Sequence, residues 1–228
     1  MGERVGEAYC AGDPVNFIDP DGRLFGDFVD NKGYIIGNDG IDDGKVYVLK
    51  ISKGEVFENS INGSEYSLDQ LYEAKTFVED YSGNADVFAM RPDIYDYFVE
   101  IVGNKDLRQE MVNIVGNDNG VRNYNEDNRR EYGGYVVGDK VTMATPGKID
   151  TGTINLYNTS TSFHSHPSGI DPNTNKVFQQ YPSINDIKNN KGYTSYVFGR
   201  NCGVVYIYNN NGIISTIPHK YFVTFNNK

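Results

Sequence analysis

From Phe28 to Lys50 the apolar residues come in short bursts, Phe28-Val29, Tyr34-Ile35-Ile36 and Val46-Tyr47-Val48-Leu49, parted by Asp, Asn and Gly. Such bursts predict small antiparallel strands and a β-hairpin. The period then lengthens. Ser67-x-x-Gln70 offers a capping box, and Leu68, Leu71, Tyr72, Val78 and Tyr81 recur at three-to-four spacing, predicting a helix stopped near Gly83. Pro92 suits a first helical turn, with Ile94, Phe98, Ile101 and Val102 on one face before Gly103-Asn104. Leu107, Met111, Ile114 and Val115 repeat that pattern before Gly116. Beyond the Asn-, Asp- and Gly-rich residues 117–128 the period becomes two. Strands are predicted at 131–137, 140–144, 152–157 and 160–164, a short helix at 183–190, and strands at 194–199, 203–208, 213–217 and 221–225. The Asn209-Asn210-Asn211-Gly212 turn joins two of these. The expected class is α+β.

Composition narrows the possibilities. The chain has 228 residues, 31 acidic and 21 basic, for a formal charge of −10. Affinity for a phosphate backbone needs clustered Lys and Arg, so nucleic acid is not an expected partner, and a nuclease-type toxin has no basic surface or acidic two-metal cluster to draw on. No apolar run approaches the ~20 residues of a membrane span, and the first 25 residues hold no export signal. The 18 Tyr and 12 Phe can still fill a core. Cys10 and Cys202 stand alone, neither a disulfide framework nor a thiolate zinc cage. Cys202 reads as a small buried residue at a strand start rather than a nucleophile for His219. The acidic stretch Asn38 to Gly44 lacks the ligand pattern of a calcium loop and reads as a solvated turn.

Two of the three histidines form His164-Ser165-His166. In a strand, residues i and i+2 face the same way, so both imidazoles can converge on one ion, and Pro167-Ser168-Gly169 then ends the strand. Ser183-x-x-Asp186 would put a carboxylate in the first turn of the next helix as a third ligand, leaving a coordination position for water; the same spacing is also a plain capping box. Upstream, Glu131 opens the strand Tyr132-Gly133-Gly134-Tyr135-Val136-Val137, where a buried carboxylate could serve as a general base.

Taken together, Glu131, His164-Ser165-His166-Pro167 and Ser183-Ile184-Asn185-Asp186 resemble the JAB/MPN (JAMM) metalloprotease family in residue type and order, over roughly residues 125–217. The resemblance implies a JAB/MPN-like mixed sheet flanked by helices over about 125–228. It implies Zn2+ held by His164, His166 and Asp186, with Glu131 as the base acting on a zinc-held water and Ser183 as the oxyanion stabiliser. The implied activity is zinc-dependent peptidase or isopeptidase hydrolysis of a protein or peptide substrate, such as a ubiquitin-like isopeptide. A non-catalytic binding module that kept the fold is the alternative. Sixteen residues lie between His166 and Ser183, more than the family spacing, and the insert Ile170 to Tyr181 reads as a substrate-covering loop or as drift.

Near the start, Asp13-Pro14-Val15-Asn16-Phe17-Ile18-Asp19-Pro20-Asp21-Gly22-Arg23 resembles the end of the core of RHS proteins, bacterial shells with variable C-terminal toxin tips. That implies a secreted or delivered effector, cytoplasmic before delivery, with an immunity protein among its partners. The chain thus divides into an RHS-core-like tail (1–23), a hairpin plus helical region of open role (24–118) and a JAB/MPN-like domain (119–228). The middle region could be a separate small domain, a pedestal for the sheet, or the surface an immunity protein recognises.

Overall fold

The computed structural model describes residues 26–150, 154–156 and 160–227. The RHS-like segment 12–23 and Cys10 lie outside the described residues. The fold is α+β, with mixed sheets flanked by a few helices and a small hairpin at its start.

Strands β1 (Asp27–Val29), β2 (Ile35–Asn38), β3 (Val46–Leu49) and β4 (Phe98–Ile101) form a four-stranded sheet in the order β2-β1-β3-β4. The β1–β2 hairpin is antiparallel as the spacing predicts, but β3 runs parallel to β1. Helix α1 (Leu68–Asp80) begins at the Ser67–Gln70 capping box, and α2 (Ala85–Met90) follows. The helix expected from Pro92 to Val102 does not form. Pro92–Tyr97 is a 3-10 turn, and Phe98–Ile101 becomes β4, antiparallel to β3. Its residues satisfy both periods, and strand pairing wins because alternation sends Val99 and Ile101 to one core and Phe98 to another.

Helix α3 (Lys105–Val115) leads into a six-stranded sheet made of β5 (Gly133–Val137), β6 (Lys140–Met143), β7 (Thr161–His166), β10 (Ser195–Gly199), β11 (Val204–Asn209) and β12 (Gly212–Pro218). Its order is β12-β11-β10-β7-β5-β6, with β7 and β10 parallel and the other neighbours antiparallel. Between β7 and β10 come the two-residue strands β8 (Ile170–Asp171) and β9 (Lys176–Val177), then α4 (Ile184–Asn189). Residues 154–156 of the expected strand 152–157 are not in a strand, and its remainder lies outside the described residues. Residues 221–225 do not form a strand either. There the fully buried Arg108 guanidinium donates to the carbonyls of Phe222 and Val223, at 2.8 and 3.1 Å, so those groups are already paired.

Alternation sorts the side chains into layers. Val29, Val46, Val48 and Ile101 of the first sheet meet Phe163, Phe198, Val205 and Ile207 of the second, with Met111 and Val115 of α3 in the same core. The interior is therefore continuous across residues 118 and 119. Outside it, α1 and α2 cover Phe28, Tyr47 and Leu49, while Ile187 of α4 covers Val197, Tyr206 and Tyr208 on the far face of the six-stranded sheet. Among the described residues no helix is long and apolar enough to cross a membrane. The acidic turn buries one member: Asp39, expected in solvent, accepts the Ile41 amide and the Tyr95 hydroxyl at 2.9 and 2.7 Å.

Candidate metal centre

Strand β7 is central in its sheet, and its alternation puts Phe163 in the core while His164 and His166 share the opposite face. Gly133 of β5 pairs with His164, and a Cβ there would fall against the Phe163 carbonyl oxygen and the His164 Cα, so only glycine lets the strands approach so closely. The ladder continues past β5: the Ser165 amide donates to the Tyr132 carbonyl at 2.7 Å, which sets Glu131 beside His166. Glu131 is 7% exposed; its Oε2 accepts the Ile154 amide at 3.0 Å, and its Oε1 is 3.8 Å from His166 Nε2.

Asp186 arrives from the opposite side on the first turn of α4. The Ser183 amide donates to its Oδ2 at 2.6 Å, and its own amide donates to Ser183 Oγ at 3.2 Å. The capping box and the ligand-like placement coexist. Asp186 Oδ1 stands 3.4 Å from His164 Nε2 and Oδ2 stands 3.5 Å from His166 Nε2, while the two Nε2 atoms are 3.2 Å apart.

All five residues named from the sequence are thus brought to one place: four converge, and Ser183 caps the helix that carries the fourth. The long insert does not disrupt this. Residues 170–177 form the β8–β9 hairpin, and Gln180 at its base donates to the Pro167 carbonyl at 2.8 Å and accepts the Asn201 amide at 2.7 Å. The chain is thereby returned to Ser183.

Burial pushes the Glu131 carboxyl up to about 8, with Asp186 adding to the rise and His166 and the Ile154 amide opposing it. Burial also acts to raise Asp186, but His164 and His166 facing it prevail and hold its carboxyl well below the usual carboxylate range. On the same sheet face, Tyr208 hydrogen-bonds the Ser162 and Ser195 hydroxyls; burial first, then the Asp186 and Glu131 charges, push its phenol up.

Glu131, His164 and His166 are all buried, and one donor atom from each lies within 4.8 Å of the others, so the group can hold a metal ion. Asp186 is nearer to both rings than Glu131 is. A tetrahedral ion with bonds of ~2.0–2.2 Å holds its ligand atoms about 3.3–3.6 Å apart. The two Nε2 atoms at 3.2 Å, and the 3.4 and 3.5 Å contacts that different Asp186 oxygens make to them, lie close to that spacing. Among the described residues neither buried Nδ1 atom has a hydrogen-bond partner, a departure from the carboxylate or carbonyl that commonly orients a ligating imidazole.

One neighbour differs from expectation. Cys202 is exposed in the turn before β11, its Sγ 3.5 Å from the Gly199 carbonyl. His219 is engaged elsewhere, its Nδ1 3.0 Å from Arg200 Nη1. Comparison with protein-family models, with curated proteins and with solved structures found no match.

Proposed function

We propose that the protein is a zinc-dependent peptidase or isopeptidase, the C-terminal effector part of an RHS-type polymorphic toxin. The reading is carried by His164 Nε2 and His166 Nε2 at 3.2 Å, each within 3.5 Å of one oxygen of the partly buried Asp186 carboxylate, with the buried Glu131 carboxylate 3.8 Å from His166. The resemblance of Glu131, His164-x-His166-Pro167 and Ser183-x-x-Asp186 to the JAMM pattern adds the reaction class, and the RHS-like wording before residue 24 adds the delivery context.

His164, His166 and Asp186 would hold the ion. Zinc there would lower the pKa of a bound water to ~7 and polarise the scissile carbonyl. With a cation beside it favouring the ionised form that burial alone disfavours, Glu131 would take the water's proton on Oε1 and pass it to the leaving amine. The Ile154 amide fixes the other oxygen of that carboxylate and so fixes which one faces the reaction. The Ser183 oxygen accepts from Asp186 N–H, which leaves its own proton to donate to a developing oxyanion. Burial excludes bulk water from the Glu131 carboxylate. The substrate is a peptide or ubiquitin-like isopeptide bond, and an immunity protein restrains the activity in the producing cell.

The test pairs elemental analysis with cleavage assays on peptides and ubiquitin chains. Wild type should carry about one zinc per chain and show chelator-sensitive turnover, and Asp186→Ala should lose the metal. Glu131→Gln should keep zinc and lose about 10²–10⁴-fold in rate. Zinc with no turnover on any substrate would point to the non-catalytic binding module.

A further inference from the structure

The turn that follows His166 is held by several hydrogen bonds, and one grip on it comes from outside the metal motif. Asp118, fully buried just beyond α3, accepts the Ser168 amide on Oδ2 at 2.7 Å, and the Ser168 hydroxyl donates to its Oδ1. The same Oδ1 takes the Gly120 amide at 2.9 Å. The Asp118 carbonyl accepts Arg200 Nε and Nη2 at 3.0 and 2.6 Å, and the Arg200 amide donates to the His166 carbonyl at 3.3 Å. The Gly169 amide closes the turn onto the Asn128 carbonyl at 2.6 Å.

A second grip lies on the other ligand-bearing piece. Ser60 Oγ donates to the Pro182 carbonyl at 2.8 Å, immediately before Ser183. Phe57 packs edge-on to Tyr206, beside Ile187 of α4. His166 and Asp186 are separated along the chain by the hairpin insert, yet each is anchored next door by a residue from before position 119.

We infer that Asp118 is a positioning residue for His166 and Ser60 one for Asp186, so that the region before the metal motif is the clamp that holds its two halves in register. The inference rests on the metal-site reading above. A ligand constellation must be held within about 0.5 Å of its working geometry by partners that are themselves locked, and two pieces joined by a long insert cannot supply that to each other. Asp118 delivers it through both carboxylate oxygens at once, so Asp118→Asn should act sharply: an amide NH2 in place of Oδ2 would face the Ser168 N–H donor to donor.

The experiment uses the full chain loaded with Co2+ as a spectroscopic stand-in for zinc, comparing wild type, Asp118→Asn, Ser60→Ala and Asp30→Asn. Asp30 is equally a buried carboxylate, but it pairs with Lys75 at 3.0 Å in the first sheet and touches nothing in the site. Asp118→Asn should weaken Co2+ affinity by about 10–100-fold and change the visible band that reports tetrahedral coordination. Ser60→Ala should move the same two readouts in the same direction by less, and Asp30→Asn should leave both unchanged. Equal affinity and an unchanged band in Asp118→Asn and Ser60→Ala would overturn the clamp, as would equal losses in Asp118→Asn and Asp30→Asn, which would mean general destabilisation. If Asp118→Asn fails to fold, Ser60→Ala alone decides. A wild type that binds neither Co2+ nor zinc would overturn the metal reading itself, an outcome distinct from binding that ignores the clamp.

Discussion

Asp186 accepts the Ser183 amide through the same oxygen, Oδ2, that stands 3.5 Å from His166 Nε2. The helix cap and the candidate ligand are one carboxylate, so its direction is fixed before any ion arrives. Ser183→Ala removes the reciprocal hydroxyl and should cost about 1 kcal/mol of stability. It should also weaken zinc binding by about 10-fold, as loss of an orienting partner does. Asp186→Asn keeps an oxygen for the cap but loses the charge, so its stability should change less and its zinc affinity more. Urea unfolding and chelator competition on the two variants separate these effects; a zinc affinity hurt more by Ser183→Ala than by Asp186→Asn would contradict this division of roles.

Gly133 sets the distance between β5 and β7. A methyl group there meets backbone at the Phe163 carbonyl and at His164 Cα, neither of which can swing aside like a long side chain. Gly133→Ala should destabilise by about 2–4 kcal/mol and loosen metal binding together, because relief of the contact moves His164. Thermal unfolding and zinc content report both. A stable Gly133→Ala that binds zinc normally would show that the strands can part without disturbing the ligand.

Much of this was legible because local rules agreed with tertiary ones. The Ser67–Gln70 box, the Asn209–Gly212 turn and the alternation around His164 each predict what forms. The chemistry-bearing residues came through the same way: His-x-His on a strand has one geometric consequence, whatever surrounds it. Legibility failed where the pattern fits two periods, as at Phe98 to Val102, or where the decision is tertiary. The parallel pairing of β3 with β1 depends on a sheet partner far along the chain, and a lone Asp118 in an Asn-Asp-Asn-Gly stretch reads as a turn until Ser168 is seen against it. Arg108 ends the last expected strand by taking carbonyls 114 and 115 residues away, which no window reveals.

The hairpin between His166 and Ser183 should be dispensable for the metal. Its tip, Asp171 to Lys176, is closed within itself by the Asn173 amide and the Thr174 hydroxyl on the Asp171 carboxylate, at 2.9 and 2.8 Å, while the return of the chain is secured at Gln180. Replacing residues 172–175 with Asn-Gly keeps that base and supplies a tight turn. Zinc content should match wild type. Gln180→Ala, which frees the Pro167 carbonyl, should instead lower zinc affinity by about 10-fold. The reverse ranking would make the tip, rather than its base, the part that organises the site.

Stability should depend on pH through His219, away from the metal. Burial, reinforced by the Arg200 guanidinium, lowers its imidazole to about 4, against ~6.5 in an unfolded chain. Arg200 Nη1 donates to Nδ1 at 3.0 Å, a bond that requires the neutral ring. Between these two values the unfolded state binds more protons than the folded one, so stability rises with pH across the window. The contribution is complete above pH ~6.5 and is lost as pH falls toward about 4. Taken at full weight the shift corresponds to about 3 kcal/mol, and solvent at the exposed edge of the ring reduces that to about 1–2. His219→Gln can still accept from Arg200 but cannot titrate. Between pH 7 and pH 5 wild type should therefore lose about 1 kcal/mol more than the variant in urea unfolding, the carboxylates common to both cancelling in the difference. Parallel losses in the two proteins would mean that the His219 ring is charged in the folded state and that Arg200 is held by the Asp118 carbonyl alone.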